Sequence, residues 1–268
     1  MKIDNFINTK YKKIDIALSN DVFYKNGWFY KKYSHNDFKT TFLNQDLEAL
    51  KLISKTKLKL KYKIYDDGVA TKKLSGYFLD YQKIDQNHLE KIISQAIYLK
   101  HIPLELTKNI KPPGFFKAIE LFDKLNYVNE IFEDEKIIIE QVLQNSKNQV
   151  AFCHNDLIPD NIIFNNLSSK AKFIDYEYSG MINFHFDIAS IFNSWVLNDD
   201  LYLFGFNKFS KFLEVDSIAL KQTRLFLLIF WSKLCDYKYN ETKRIFYLEL
   251  KKNIISLRPI IELQATLN

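Results

Sequence analysis

The stretch Cys153–Phe164, CHNDLIPDNIIF, with Phe173–Gly180, FIDYEYSG, decides how this chain reads. Asp156, Asn161 five residues on, and Asp175 fourteen beyond that are spaced for phosphoryl transfer. The first carboxylate can take a proton from an attacking hydroxyl. The asparagine and the second carboxylate can hold magnesium against a triphosphate. Apolar residues flank both acidic stretches: QVAFC before the first, NIIF between them, KFI before the second. That pattern predicts strand and loop ends on a rigid floor. The intervening NNLSSKAK reads as hairpin-like and would return Asp175 to the side of Asn161. Taken alone, Asp156 reads more readily as a loop carboxylate capping a turn; its companions favour chemistry.

Working outward, 268 residues suit one large domain or two moderate lobes around a cleft. With 47% hydrophobic and 16% aromatic residues, the chain has ample core material. The net charge of +6 raises the question of nucleic acid, but 35 of the 38 basic residues are lysine. Bidentate readout of bases and phosphates favours arginine, so nucleic acid is excluded as a partner. Cys153 and Cys235 are the two cysteines, with no CxxC or Cys/His cluster, which indicates neither a disulfide framework nor zinc. The start, MKIDNFINTKYKK, lacks the apolar core of a signal peptide. The longest apolar run, Leu225 to Trp231, is far short of a membrane span, so a cytoplasmic protein without membrane insertion is expected.

The first seventy-odd residues read as β-rich. DVFYK and WFYKKY are joined by Asn26-Gly27, whose type I′ turn needs positive φ at both positions. Phe42, Leu43, Leu47, Leu50 and Ile53 recur at helical spacing. KLKLKYKIY then alternates, with Leu58, Leu60, Tyr62 and Ile64 on one face and Lys57, Lys59, Lys61 and Lys63 on the other. A lysine-guarded edge strand fits better than a polyanion site. Beyond Asn87 the period turns helical: Leu89, Ile92, Ile93, Ala96 and Ile97 form a stripe ending near His101. Pro112-Pro113-Gly114 breaks the chain before helical stretches around Phe116–Leu125 and Glu133–Leu143, and Ser217–Asp236 is apolar enough to be buried. The expected fold is α+β and two-lobed. A small antiparallel sheet with one helix, residues 1–75, binds the nucleotide; a larger, mainly helical lobe, residues 76–268, carries the acidic motifs.

HNDLIPDN and IDYEYSG, followed by the NxxFDIA stretch from Asn183 to Ala189, resemble the choline/ethanolamine kinase family, and most nearly its bacterial choline kinases of the LicA type. That family belongs to the aminoglycoside-phosphotransferase-like group, with a protein-kinase-like fold. The resemblance is specific in Cys153–Ala189. It implies Asp156 as catalytic base, Asn161 and Asp175 as magnesium ligands, and His154 as a buttress of the catalytic loop. Asp187 would hold the backbone of that loop; a plain helix N-cap is the alternative. Glu177 and Tyr178 match residues near the metal and the cationic head of the substrate. NQDLE, Asn44 to Glu48, resembles the family's NRxxE, so that Glu48 would pair with a phosphate-steadying strand lysine. That lysine is Lys31 or Lys32, and Lys31 is favoured because it shares a face with Phe29 and Tyr33.

The pattern also departs from the family. Leu18-Ser19-Asn20 stands where relatives carry a glycine-rich loop, leaving phosphate contacts to Ser19, Asn20 and backbone N–H groups. Choline, a quaternary ammonium, needs aromatic walls. Trp231 matches the first tryptophan of a paired WxxW, but Leu234 fills the second position. Ser194 replaces a family glutamate beside Trp195. The resemblance implies transfer from ATP to a small alcohol, choline first, with ethanolamine, thiamine or an aminoglycoside as rival acceptors. A catalytically silent kinase-shaped binder is the rival of another class. A homodimer is left open.

Overall fold

The computed structural model describes residues 12–14, 21–33, 37–58, 60–66, 68–125, 128–195 and 197–267. Five antiparallel strands form the first sheet, in the order β1 (Lys12–Ile14), β2 (Asp21–Lys25), β3 (Trp28–Lys32), β5 (Gly68–Lys72), β4 (Tyr62–Tyr65). Asn26 and Gly27 join β2 to β3 with φ of 50° and 77°, the conformation that the Asn-Gly pair predicts. The register sets Lys31 opposite Val22 on one side and Val69 on the other. On the face of β3 away from Lys31, Tyr30 is fully buried and packs edge-on to Tyr65 at 5.6 Å.

β4 lies at the edge of the sheet and Lys61 and Lys63 are exposed, as the alternating lysines predict. Its inward face differs from expectation. Ile64 is half exposed, whereas Tyr65 is buried, because Tyr65 pairs with Gly68 and reaches the ring of Tyr30. Helix α1 (Asp37–Ser54) lies in sequence between β3 and β4 and buries Ala49, Leu50 and Ile53.

The rest of the chain is mainly helical: α2 (Gln86–Lys100), α3 (Leu104–Thr107), α4 (Phe115–Phe122), α5 (Glu133–Asn145), α6 (His185–Ser194), α7 (Asp199–Ser210), α8 (Ser217–Thr242), α9 (Phe246–Ile255) and α10 (Arg258–Gln264). Asp85 caps α2 by accepting from the His88 N–H at 2.8 Å. His101 is exposed at the other end rather than packed; its Nδ1 meets the Ile97 carbonyl at 2.7 Å, satisfying a helix-terminal acceptor. The 26-residue α8 is the central helix, buried through most of its length. Phe115 of α4 stacks on Phe186 at 5.6 Å and meets Phe230 of α8 edge-on at 4.7 Å, geometries that favour opposite parts of the ring quadrupoles. One apolar cluster runs from Ala49 and Ile53 of α1, through α2, to Phe226 and Phe230 of α8, so sheet and helices share a core.

Two short ladders rise from that core. β6 (Val150–Cys153) pairs with β9 (Gly180–Asn183), and β7 (Ile162–Ile163) with β8 (Lys172–Phe173). They are the strand ends that the apolar flanks of the acidic motifs predict. The crossing from the first sheet is anchored here: Tyr77 and Phe164 exchange backbone hydrogen bonds of 3.0 and 2.9 Å. Gly76, at φ 145°, passes so close that a Cβ there would lie 2.2 Å from the Phe164 carbonyl oxygen.

Candidate active site

The site begins with a loop that follows β6 and is held from below by α6. Asn155 adopts φ 68°, a left-handed conformation asparagine tolerates, and its backbone N–H donates to Asp187 Oδ1 at 2.7 Å. Its side-chain Nδ2 donates to the Tyr178 carbonyl at 2.9 Å. One turn along α6, Ser190 Oγ accepts from the Leu157 N–H at 2.7 Å. Trp195, just past the helix, donates Nε1–H to the Leu157 carbonyl at 3.2 Å. Asp187, Ser190 and Trp195 thus fasten the backbone on both sides of Asp156. The neighbouring His154 is buried, with Nε2 at 2.9 Å from the Ile174 carbonyl, tying this loop to the residue before Asp175. Burial drops the His154 imidazole to about 4, so it is neutral and donates through Nε2.

Asp156 is buried, and Asn161 Nδ2 donates to its Oδ2 at 2.7 Å and to its backbone oxygen at 3.0 Å. Asn161 in turn accepts from the Ile174 N–H at 3.0 Å, which sets Asp175 beside it. Asp175 holds φ at 63°, a conformation uncommon outside glycine and asparagine and found where tertiary contacts impose it.

Across from these acids, Lys31 reaches out of β3. Its ammonium bonds Asp175, lies 2.7 Å from Glu177 Oε2 and 3.6 Å from Asp46 Oδ2. Burial acts to lower the Lys31 pKa, but the charges of Asp175, Glu177 and Asp46 prevail and raise it well above the ordinary value. The carboxylates are crowded. Burial first, then the charges of Asp175 and Glu177, push Asp156 up to about 8, against the Asn161 hydrogen bond and Lys31. Asp175 rises to about 7 through burial and Glu177, with Lys31 opposing. Burial lifts Asp187 to about 7, against the N–H groups of Asn155 and His154.

These shifts fix a pH dependence. With its carboxyl raised to about 8, Asp156 should pass from neutral to ionised as pH climbs through that value in the protein free of nucleotide and metal. Replacing Asn161 with Ala removes a hydrogen bond that favours the ionised form and should raise the Asp156 pKa further; carboxyl NMR titration of the protein without nucleotide checks both.

The donor set suits a hard cation. Among the described residues, no group of three or more His, Cys, Asp or Glu side chains forms a metal cage. Magnesium, however, takes one or two protein ligands when phosphates supply the rest, and an amide oxygen with a carboxylate matches that need. Asn161 and Asp175 are the pair that would hold it, beside Glu177 and Asp46, whose charges the single Lys31 ammonium offsets only in part.

The structure brings together Lys31, His154, Asp156, Asn161, Asp175, Glu177 and Asp187. Glu48 does not join them. It bonds Lys51 at 2.6 Å on the outer side of α1, and Asp46 takes the place beside Lys31. The helical period explains the correction: Asp46 lies on the stripe of Ala49, Leu50 and Ile53, and Glu48 on that of Lys51. Trp195 is likewise not a pocket wall, being 4% exposed and turned beneath the loop against Phe164. Trp231 is half-buried and meets Tyr178 edge-on at 5.0 Å. Ser19 and Asn20 lie outside the described residues. Sequence reasoning missed Asp46, Tyr33, Asn155 and Ser190, although Ser190 stands three residues from Asp187 on one helix face.

Comparison with known proteins agrees with this geometry. Human ethanolamine kinase 2 is 28% identical over 150 residues, covering 50% of this chain and 38% of the relative. Human ethanolamine kinase 1 is 39% identical over 67 residues, covering 25% of this chain and 15% of the relative. The chain thus spans less than half the length of these curated relatives. Among solved structures, the choline kinase LicA from Streptococcus pneumoniae superposes with a TM-score of 0.70 at 16% identity over 95% of both chains. An aminoglycoside phosphotransferase, APH(2'')-Ib with ADP bound, gives 0.61 at 18% identity over 98% of this chain and 96% of its own. The fold is therefore the two-lobed α+β fold of the choline kinases and aminoglycoside phosphotransferases. Residues 33–211, two thirds of the sequence, match the choline/ethanolamine kinase family, and the chain belongs to that family.

Proposed function

We propose that this chain is a kinase that transfers the γ-phosphoryl group of ATP to the hydroxyl of a small amino alcohol, with magnesium. The observation that carries the reading is Asp156 braced by Asn161 and facing Lys31, Asp175 and Glu177. We assign residues 1–75 to the nucleotide lobe and 76–268 to the catalytic lobe, with the cytoplasm as the compartment; the sheet ending at Lys72 and the Tyr77–Phe164 bridge support the division.

In this reading Asp156 accepts the hydroxyl proton as the acceptor oxygen bonds to the γ-phosphorus. The bond from that phosphorus to the β-bridging oxygen breaks, and ADP leaves. Lys31 stays protonated and places its charge where negative charge gathers on the phosphoryl oxygens. Asn161 and Asp175 would hold a magnesium ion, which would supply positive charge against the phosphates. The fastened loop lowers the cost of orientation, since its carboxylate does not have to be ordered during reaction.

Choline is our first acceptor. Trp231, half-buried and backed edge-on by the buried Tyr178 beside Glu177, is the ring left to meet a quaternary ammonium, which offers no N–H and is held by cation–π attraction. Ethanolamine is the second reading, favoured by the two human relatives, which carry that name, and by the removal of Trp195 from the pocket. ADP release with choline, ethanolamine, thiamine and an aminoglycoside tests both. Turnover should be highest with choline. Turnover confined to ethanolamine replaces the acceptor and keeps the kinase, while ATP binding with no turnover on any alcohol supports the silent-binder alternative.

A further inference from the structure

Lys31 faces three carboxylates, and they do not come from one place. Asp175 and Glu177 belong to the segment after β8, which also holds the candidate magnesium ligand. Asp46 comes from α1, on the same side of the cleft as Lys31 itself. Asp46 is also the most distant, at 3.6 Å, and does not reach Lys31 as a hydrogen bond.

Another group holds it. The Tyr33 hydroxyl donates to Asp46 Oδ2 at 2.5 Å, the same oxygen that faces Lys31. Tyr33 is 3% exposed and Asp46 2% exposed, so neither is braced by bulk water. Tyr33 stands two residues beyond Lys31, on the same side of the chain, with its ring centroid 5.7 Å from the Lys31 ammonium. Burial favours the neutral form of Asp46, and Lys31 and the Tyr33 hydroxyl oppose that. A cation drawn to Asp175 competes for one of the two close partners of Lys31. Glu177 and Asp46 then remain, and of the two only Asp46 comes from the same side of the cleft as Lys31.

We propose that Tyr33 is a positioning residue, whose hydroxyl holds the Asp46 carboxylate so that Asp46 in turn keeps the Lys31 ammonium aimed at the nucleotide phosphates. The inference rests on the kinase reading, with Asp46 in the role that the NQDLE resemblance gave to Glu48. A merely structural role for Tyr33 is the competing account, because its ring packs in the main apolar cluster.

Tyr33→Phe separates the two by keeping the ring and removing the hydroxyl. Binding of magnesium ATP, by titration calorimetry without acceptor, should weaken about tenfold, as expected for losing a hydrogen bond to a charged group. KM for ATP should rise in parallel, with acceptor KM unchanged. In an Asp46→Asn background the same substitution should have no further effect, since the hydroxyl then has no carboxylate to hold. Wild-type nucleotide binding in Tyr33→Phe overturns the proposal, as does an equal loss in both backgrounds or a fall in melting temperature alone. If the unaltered protein phosphorylates no alcohol, the kinase reading fails, and the calorimetric arm still judges Tyr33.

Discussion

Asp156→Asn is expected to lower kcat by about 10³-fold, within the range for removing a general base, while KM for ATP stays near that of the unaltered protein. The shape of the side chain is preserved, and the amide oxygen can still accept from Asn161 Nδ2, so the loop keeps its brace. What is lost is the site for the hydroxyl proton. The substitution should leave the fold at least as stable, because Asp156 is costly where it stands. Burial and the charges of Asp175 and Glu177 push its carboxyl to about 8, and a neutral amide escapes that cost. Initial-rate kinetics with a thermal melt check both halves. A variant with kcat within tenfold of the parent would remove Asp156 from the chemistry.

The second large effect belongs to Lys31. Lys31→Met retains much of the stem but leaves Asp46, Asp175 and Glu177 facing one another without their shared cation. Removing one partner of a buried ion pair is strongly unfavourable, and here three partners lose the same one. Transition-state charge on the phosphoryl oxygens also loses a fixed donor, a loss on the order of 10²–10³-fold in kcat. We therefore expect a fall of about that size in kcat together with a raised KM for ATP and a lower melting temperature. Lys32→Met, one residue on and pointing to the opposite face, should show neither kinetic change. Equal losses in the two variants would contradict the assignment of Lys31 to the cleft.

Much of this site was legible from spacing alone. Asp156, Asn161 and Asp175 meet because NIIF and AKFI form two short paired strands that fold the second motif back on the first. The Asn26-Gly27 hairpin was readable because few residues accept positive φ at two successive positions, and it fixes which β3 lysine faces the cleft. Glu48 failed for a reason of period. A motif match counts residues along the chain, whereas a helix sorts them by angle, and the angle favours Asp46. Trp195 failed because its size suggested a pocket wall, while a buried indole seeks an acceptor for its N–H and finds the Leu157 carbonyl. The expected inward face of Ile64 gave way to Tyr65 because a short edge strand is ordered by its partner's side chains more than by its own alternation. Asp46 with Tyr33, and Asn155 with Tyr178, join groups distant along the chain or on different elements, and no local pattern announces them.

Phosphorus NMR of the unaltered protein with magnesium, ATP, choline and ethanolamine reads phosphoryl transfer to an alcohol at the product itself. A phosphomonoester signal from an amino alcohol should grow in step with ADP. ADP appearing with inorganic phosphate alone, or an unchanged ATP spectrum, would contradict it.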